Sequence, residues 1–243
     1  MNLVLFESAE LTTSLPRTDP RARHILDVLR RREGESFDAG LVNGPRGKAT
    51  LTAVLPDALA FTFAWDAPLP PLPSTTLLIG LPRPQTARDI LRDATTLGAT
   101  CIHFVATERA DPNYATSTLW TSGEWRRHCL AGAAQAFDTR IPEVTWNHTL
   151  ASAFATLPVS TTTATACLAL DNYESPASLR SEIIHHPSSI INSSVLALGP
   201  ERGFGPADRD ALRAAGFTLA HLGSRVLRVE TAVVAALAIL RAH

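Results

Sequence analysis

Apolar positions change their spacing part-way along the chain, and the change divides the sequence. Up to about residue 70, short apolar or alternating runs dominate. Leu3 to Phe6 reads as a buried strand, and Phe37 to Val42, Ala49 to Leu55 and Leu59 to Trp65 read as three more. Asn43-Gly44-Pro45-Arg46-Gly47 joins the first two of those three as a turn. One helix is predicted among them. Asp19-Pro20 supplies its N-cap and first position, Ile25, Val28 and Leu29 share a face, Arg30-Arg31-Arg32 fill the last turn and Gly34 follows. A small β-barrel-like domain with one helix is the natural assembly of these pieces.

Pro68-Leu69-Pro70-Pro71-Leu72-Pro73 marks the boundary, because so many prolines can neither continue a helix nor sit in a central strand. Beyond it, strands alternate with longer helical patterns. Thr75 to Ile79, Cys101 to Ala106, Thr165 to Leu170, Val195 to Leu198 and Thr218 to Leu222 are predicted strands. Thr86 to Leu97, Glu124 to Phe137, Pro206 to Ala215 and Val229 to Leu240 are predicted helices, the first and third ending at Gly98 and Gly216. This alternation implies an α/β fold with a parallel sheet covered on both faces. The predicted domains are therefore residues 1–70 and 71–243. No repeats occur, and the Thr-rich run Ser160 to Thr165 reads as a loop entering a strand.

Composition changes the picture little. Of 243 residues, 45% are apolar and 19% charged, which is a folded composition and excludes a disordered chain. Lys plus Arg is 22 against 23 for Asp plus Glu, so any nucleic-acid binding must rest on a local patch. Lys48 is the only lysine. Coding bias accounts for that skew as well as bidentate phosphate recognition does, and the count alone does not separate them. Cys101, Cys129 and Cys167 form no Cys-x-x-Cys pair and are expected to be buried thiols in a reducing compartment. No signal peptide or run of about 18 apolar residues is seen, so the expectation is a soluble, cytoplasmic protein without membrane contact. His185-His186, beside Pro187, has no Cys or Glu partner at metal spacing, and no metal site is predicted.

Candidate chemistry lies in two glycine-bearing strand ends. Leu196-Ala-Leu-Gly-Pro-Glu-Arg-Gly-Phe-Gly-Pro206 follows a buried strand and precedes a helix, where ligands of open α/β sheets sit. Its spacing is not a dinucleotide fingerprint, and a plain turn would read the same way. Leu222-Gly-Ser-Arg-Val-Leu-Arg-Val-Glu-Thr-Ala232 is either a charged helix cap or a second wall of one pocket, with arginines aimed at an anion.

Together these motifs resemble the signature of the ribosomal RNA small-subunit methyltransferase E family, uridine-N3 methyltransferases of 16S rRNA in the SPOUT superfamily. His24-Ile-Leu-Asp-Val-Leu-Arg30 is similar to the helix of that family's N-terminal domain, and Leu97-Gly98, Glu108-Arg109, Gln135 and Arg140-Ile141-Pro142-Glu143 fall in family order. The resemblance covers nearly the whole chain. It implies a PUA-like RNA-binding barrel followed by an α/β domain tied in a deep trefoil knot, and a homodimer through the knot domain; the apolar helix Val229 to Leu240 fits a buried interface element, though a monomer's core helix would look the same. It implies S-adenosylmethionine held by Leu198, Gly199, Pro200, Glu201 and Gly203 in one loop and Leu222, Gly223, Val226, Leu227 and Arg228 in the other, with Leu170 completing the wall. Within that reading Arg228 stabilises the anion developing on uracil, and Glu230 orients it or accepts the proton. Arg30, Arg31, Arg83, Arg88, Arg140, Arg202 and Arg225 are the candidates for contact with ribosomal RNA.

Several residues depart from the family pattern. Arg202 stands where a glycine is usual, and Val229 replaces a threonine. Ala134 and Asp138 replace Glu and Arg, and Arg83-Pro-Gln-Thr-Ala-Arg88 replaces a lysine-rich loop. These departures leave two rival readings: methylation of another RNA position, such as a ribose 2′-OH or another base, or an RNA-binding assembly relative without catalysis.

Overall fold

A computed structural model describes residues 3–157, 165–186 and 193–242. Residues 160–164 of the predicted Thr-rich loop, and Pro187 beside the histidine pair, lie outside them. Two compact units form: the residues up to Pro71 together with Ala133–Ile141, and Leu72–Gly132 with the residues from Pro142 on. The stretch 133–141 thus belongs structurally to the first unit, although the predicted boundary places it in the second domain.

The first unit is a five-stranded sheet in the order β1-β3-β4-β5-β2. Its strands are β1 (Val4–Phe6), β2 (Leu15–Pro16), β3 (Ser36–Leu41), β4 (Arg46–Val54) and β5 (Ala58–Trp65). β1 pairs parallel to β3, and the other pairings are antiparallel. Phe6, Ile25, Phe37, Ala39, Ala49, Leu51 and Leu59 fill its core. Helix α1 (Pro20–Arg23) begins as predicted, with the Asp19 carboxylate accepting from the Arg21 amide at 2.8 Å and Pro20 in the first turn.

The continuation differs from the expectation. Residues His24–Val28 wind as a π-turn, in which the Leu29 amide donates to His24 O at 2.9 Å and the Arg31 amide to Ile25 O at 3.0 Å. The wider winding turns the face by a fraction of a residue. Ile25 stays buried while Val28 is 66% exposed. Arg30 takes a left-handed conformation (φ +53°) and ends the helix, so Arg31 and Arg32 fall beyond it and Gly34 serves the turn before β3.

The second unit is a seven-stranded sheet in the order β10-β12-β9-β11-β6-β7-β8, with every pairing parallel. Its strands are β6 (Ser74–Gly80), β7 (Cys101–Ala106), β8 (Glu143–Thr149), β9 (Thr165–Leu170), β10 (Ala177–Ser178), β11 (Ser193–Leu198) and β12 (Thr218–His221). Its helices are α2 (Pro84–Thr96), α3 (Thr118–Thr121), α4 (Glu124–Gln135, running on into the first unit), α5 (Leu150–Thr156), α6 (Leu179–Ile184), α7 (Pro206–Ala214) and α8 (Val229–Arg241). The five predicted strands and four predicted helices of this half are present; β8, β10 and the short helices α3, α5 and α6 are additional. Leu78, Val105, Ala169, Val195, Ala197 and Leu219 from five strands share a core with Leu150 of α5 and Leu212 of α7. Helices α2 and α8 pack on each other. The Arg241 guanidinium in the last turn of α8 donates to the Gly98 and Leu97 carbonyls, at 2.6 and 3.3 Å, and so caps α2.

All three thiols are free, but only Cys129 is buried and Cys101 and Cys167 are half-buried, short of the expected burial; desolvation pushes Cys101 up to about 12 and Cys129 to about 11, and raises Cys167. Among the described residues, no helix is long and apolar enough to cross a membrane, and no group of three His, Cys, Asp or Glu side chains could hold a metal ion.

One ion cluster stabilises the start of the first unit. Arg21 donates to Glu10 at 2.5 Å, to both oxygens of Asp19 at 2.8 and 3.1 Å, and to Leu5 O at 2.9 Å. Hydrogen bonding from Arg21 holds both carboxyls below their ordinary range. Depressed carboxyls contribute stability above their unfolded pKa of about 4, lost as pH falls through the lower folded values. Arg21→Met should therefore cost about 2 kcal/mol at pH 7. In urea titrations the gap from wild type should narrow as pH falls below the unfolded value of about 4; a gap equally large at low pH would show that Arg21 acts through packing alone.

Candidate active site

At the carboxyl ends of the neighbouring strands β12, β9 and β11, the residues that follow each strand enclose a cleft of about 200 Å³. Leu170, Leu198, Leu222, Val226, Leu227 and Val229 give it apolar walls, and Asp171, Asn172, Glu201 and Arg225 bring polar groups to it. Both glycine-bearing strand ends singled out in the sequence therefore line one pocket.

The loop from Gly199 to Gly205 is shaped by its backbone. The Gly203 amide donates to Pro200 O at 2.7 Å, and Gly203 has φ +70°, a conformation that a side chain would strain. A Cβ on Gly199 would stand 2.6 Å from the Gly203 carbonyl carbon and the Phe204 nitrogen, so only glycine lets the loop fold back on itself. Phe204 is buried in the core beneath.

Carboxylates and one arginine hold the loop from outside. Asp208, in the first turn of α7, accepts from the Gly205 amide at 2.9 Å and from the Glu108 amide at 3.1 Å. Glu108 in turn accepts from the Ala207 amide at 3.2 Å. Arg109 Nη1 donates to Arg202 O at 3.0 Å, and Glu201 accepts from the Arg83 amide at 3.1 Å. Asp208 lies in the first turn of α7 and Glu108 accepts from that turn, so negative charge sits where the helix dipole favours it.

On the β9 side the cleft is set by a buried ion pair. Asp171 accepts from Arg209 Nε at 2.7 Å, with both side chains almost wholly inside, and from the Tyr173 and Glu174 amides at 2.8 Å each. Arg209 also stacks over the Tyr173 ring at 5.2 Å, which fixes that exposed ring at the cleft. Burial works to raise the Asp171 carboxyl, and Arg209 with the two amides outweighs it, so the group titrates below its ordinary range.

Of the residues expected to bind a cofactor, Leu170, Leu198, Gly199, Pro200, Glu201, Gly203, Leu222, Val226 and Leu227 line the cleft, whereas Gly223 and Arg228 do not. Arg228 is the N-cap of α8. Its side chain is 80% exposed and 4.0 Å from Glu230, which is itself mostly covered. Arg202 and Arg225, expected to meet RNA, line the cleft as well. Arg83 lies across the loop beside Glu201, at 3.7 Å.

Other arginines are engaged elsewhere. Arg88 forks onto Glu124 at 2.8 and 3.2 Å, and with help from His128 it holds that carboxyl down to about 2. In the first unit, Arg140 forks onto Asp138 at 2.9 and 2.5 Å and reaches Pro70 O at 2.5 Å. Arg30 is exposed, and Arg31 is half-buried with its Nε unpaired among the described residues. Asp171, Asn172, Tyr173, Asp208 and Arg209 were not singled out in the sequence. Asp171, Asn172 and Tyr173 carry one signal, a polar run directly after a predicted strand, which ordinary turns share; Asp208 and Arg209 read as ordinary charged positions of a predicted helix.

The RNA methyltransferase domain pattern matches residues 70–241. The ribosomal RNA small subunit methyltransferase E of Treponema pallidum (strain Nichols) is 32% identical over all of this chain and 91% of its own length. Ribosomal RNA small subunit methyltransferase E 1 of Borreliella burgdorferi is 25% identical, over 97% and 95% of the two chains. Among solved structures, a ribosomal RNA small subunit methyltransferase E from Neisseria gonorrhoeae bound to S-adenosylmethionine superposes with a TM-score of 0.77 at 24% identity, covering 99% of this chain and 97% of that one.

Asp171→Asn leaves Arg209 buried beside a neutral amide, and should destabilise the protein by about 3 kcal/mol at pH 7. A depressed carboxyl stabilises above its unfolded pKa, so the difference from wild type in urea unfolding should shrink as pH falls below about 4. A variant as stable as wild type at pH 7 would remove the pair from the fold's support.

Proposed function

The chain belongs to the ribosomal RNA small subunit methyltransferase E family of RNA methyltransferases, and from that premise we propose that it transfers a methyl group from S-adenosylmethionine to N3 of a uridine in 16S ribosomal RNA. The observation that carries this reading is the convergence of both family loops on one strand-end cleft. The cleft's residues fit the cofactor: apolar walls from Leu170, Leu198, Leu222, Val226 and Leu227 suit an adenine and a sulfonium, and the Gly199 fold-back leaves backbone close to the ligand's place. Pro200, Glu201 and Gly203 complete the hold from the loop after β11.

Bound cofactor supplies a methyl group on sulfonium, whose S–C bond breaks with its electron pair staying on sulfur as the N3–C bond forms and the N3 proton leaves. The protein's own task is placement and charge. The clamped loop keeps the cleft in one shape, which limits the reorganisation needed on binding. Arg228 stands between Leu227 and Val229, both of which line the cleft, and from there it stabilises the uracil anion as its proton departs. Glu230 orients Arg228 or takes the proton through water.

In this reading residues 1–70 form a PUA-like RNA-binding domain and residues 71–243 an α/β-knot domain of the SPOUT superfamily. The placing of β11 between β6 and β9 in an all-parallel sheet supports the second assignment. A homodimer through the knot domain is supported by Val226 (84% exposed) and Val234 (37%), apolar side chains left in water before and on α8. Arg30 and Arg31 join Arg83, Arg202 and Arg225 as contacts of ribosomal RNA, whereas Arg88 and Arg140, expected among them, are spent on Glu124 and Asp138. Catalysis proceeds in the cytoplasm, on ribosomal RNA or the small subunit, without a metal.

Incubation of the protein with labelled S-adenosylmethionine and unmodified small ribosomal subunits, then nucleoside digestion and mass spectrometry, should yield N3-methyluridine as the sole labelled product. A different methylated nucleoside would move the target, and bound subunits without transfer would mark a non-catalytic relative. Arg228→Ala should lower turnover about 100-fold or more with cofactor affinity nearly unchanged; full turnover would remove Arg228 from the mechanism.

A further inference from the structure

A second concavity, about 470 Å³, opens on the other side of the Pro200–Arg202 segment. It lies beyond the carboxyl ends of β11, β6 and β7, consecutive in the sheet, and so takes in the boundary between β6 and β11. The chain leaves β6 toward β7 and β8, and leaves β11 toward β12 on the opposite side. This is the point where the winding reverses, the position at which open α/β sheets form a ligand crevice. The cofactor cleft proposed above lies beyond β11, so one sheet edge carries two concavities separated by a single loop.

Charge in the second one divides in an informative way. Arg83, Arg109 and Arg202 line it together with Glu108, Asp111 and Glu201. Each carboxylate already accepts a backbone amide: Glu108 from Ala207, Asp111 from Asn113 at 2.9 Å, and Glu201 from Arg83. The arginines are far less committed. Arg109 spends one N–H on Arg202 O, and Arg83 uses Nε alone, donating to Thr86 at 3.1 Å and standing 3.7 Å from Glu201. Arg202 has no side-chain hydrogen bond or ion pair among the described residues. Three planar forks with free donors remain, in a space the size of a nucleotide, with Tyr114 on the wall.

We propose that this crevice binds the sugar-phosphate of the RNA strand at the acceptor nucleotide, with Arg83 and Arg202 gripping phosphate across the loop from the methyl donor. The proposal rests on the methyl-transfer reading and adds to it the place where the substrate strand lies. Arg202, a departure from the family loop, gains a role through its position on the partition between donor and acceptor. Arg109 has a double one, since it shapes the loop through Arg202 O and faces the strand.

Fluorescent decauridylate and unmodified small subunits, titrated with full-length protein between about 50 and 200 mM salt, test it. Arg83→Gln and Arg202→Gln should each weaken binding several-fold at low salt and flatten the log–log salt slope by about 0.7, the signature of one lost phosphate contact on a single strand. In Arg83→Gln, a position outside the cofactor cleft, cofactor affinity by calorimetry should stay within about twofold. Arg127→Gln, an exposed arginine on α4 outside the crevice, should leave the slope unchanged. Unchanged slopes in both crevice variants overturn the proposal, as does a loss of cofactor affinity with RNA binding intact, which would assign the crevice to the donor. Unchanged slopes in a protein that methylates subunits fail the crevice alone. Wild type that binds decauridylate with the expected slope changes, yet transfers no methyl group, fails the methyl-transfer reading instead.

Discussion

Asp208 accepts hydrogen bonds from the Gly205 and Glu108 amides, and through them joins the loop after β11 to the loop after β7. Charge-assisted bonds of this kind are each worth about 1.5–3 kcal/mol. Their position matters more than their sum. Gly205 carries no side chain because the Glu108 carboxylate fills the space a Cβ would take, and Glu108 can be there because Ala207 offers it an amide at the start of α7. The helix start, the loop and the neighbouring strand end are thus one construction. Phe204 anchors it in the core, and the cleft and the crevice are its two sides. A site formed this way is held by backbone and short carboxylates, which leaves the longer side chains free for a ligand.

Most of the frame was legible because its strands are apolar and its helices carry glycine and proline at their ends. β8 was not, since Glu143–Thr149 alternates polar residues on an edge of the sheet and buries mainly Val144. What holds it is invisible in one dimension: Trp146 stacks on Trp120 at 5.3 Å and meets Trp125 at 6.0 Å. The π-turn at His24–Val28 was equally hidden, because its sequence satisfies an ordinary helical period and only the hydrogen-bond ladder shows the extra residue. At the cleft, glycine after a strand disclosed which loops enclose it, since the close backbone approach at Gly199 admits no side chain. The Asp171–Arg209 pair joins positions 38 apart, and no local pattern announces such a partner.

Three of the departures from the family pattern find physical accounts. The loop needs its left-handed residue at Gly203, whereas Arg202 has an ordinary backbone and contributes its carbonyl to Arg109. A side chain at 202 is therefore tolerated by the turn, and its effect is to add a cation at the rim. Asp138 takes the Thr139 and Arg140 amides at 2.7 and 3.0 Å and the Arg140 guanidinium, so the acid that replaces a basic residue organises the turn after α4. Val229 is buried at the start of α8 and lines the cleft, where a methyl replaces a hydroxyl at equal size.

That leaves the near-absence of lysine, which the sequence could not interpret. The arginines divide into two populations. Arg21 on Asp19, Arg88 on Glu124 and Arg140 on Asp138 each use two nitrogens on two carboxylate oxygens, a geometry a single ammonium cannot reproduce. Arg209 combines a carboxylate with an aromatic face in the interior, where the weaker hydration of guanidinium lowers the cost of burial. The structural arginines are thus not interchangeable with lysine, whatever set the overall composition. Arg202, Arg225 and Arg228 form the second population, at the rim of the cleft, and only the last has an acid within reach, at 4.0 Å. With the net charge at −1, no long-range field draws an anion to this protein. Selectivity for a phosphate-bearing partner must then come from these few uncommitted forks, at short range, on an edge whose carboxylates are already occupied by backbone amides.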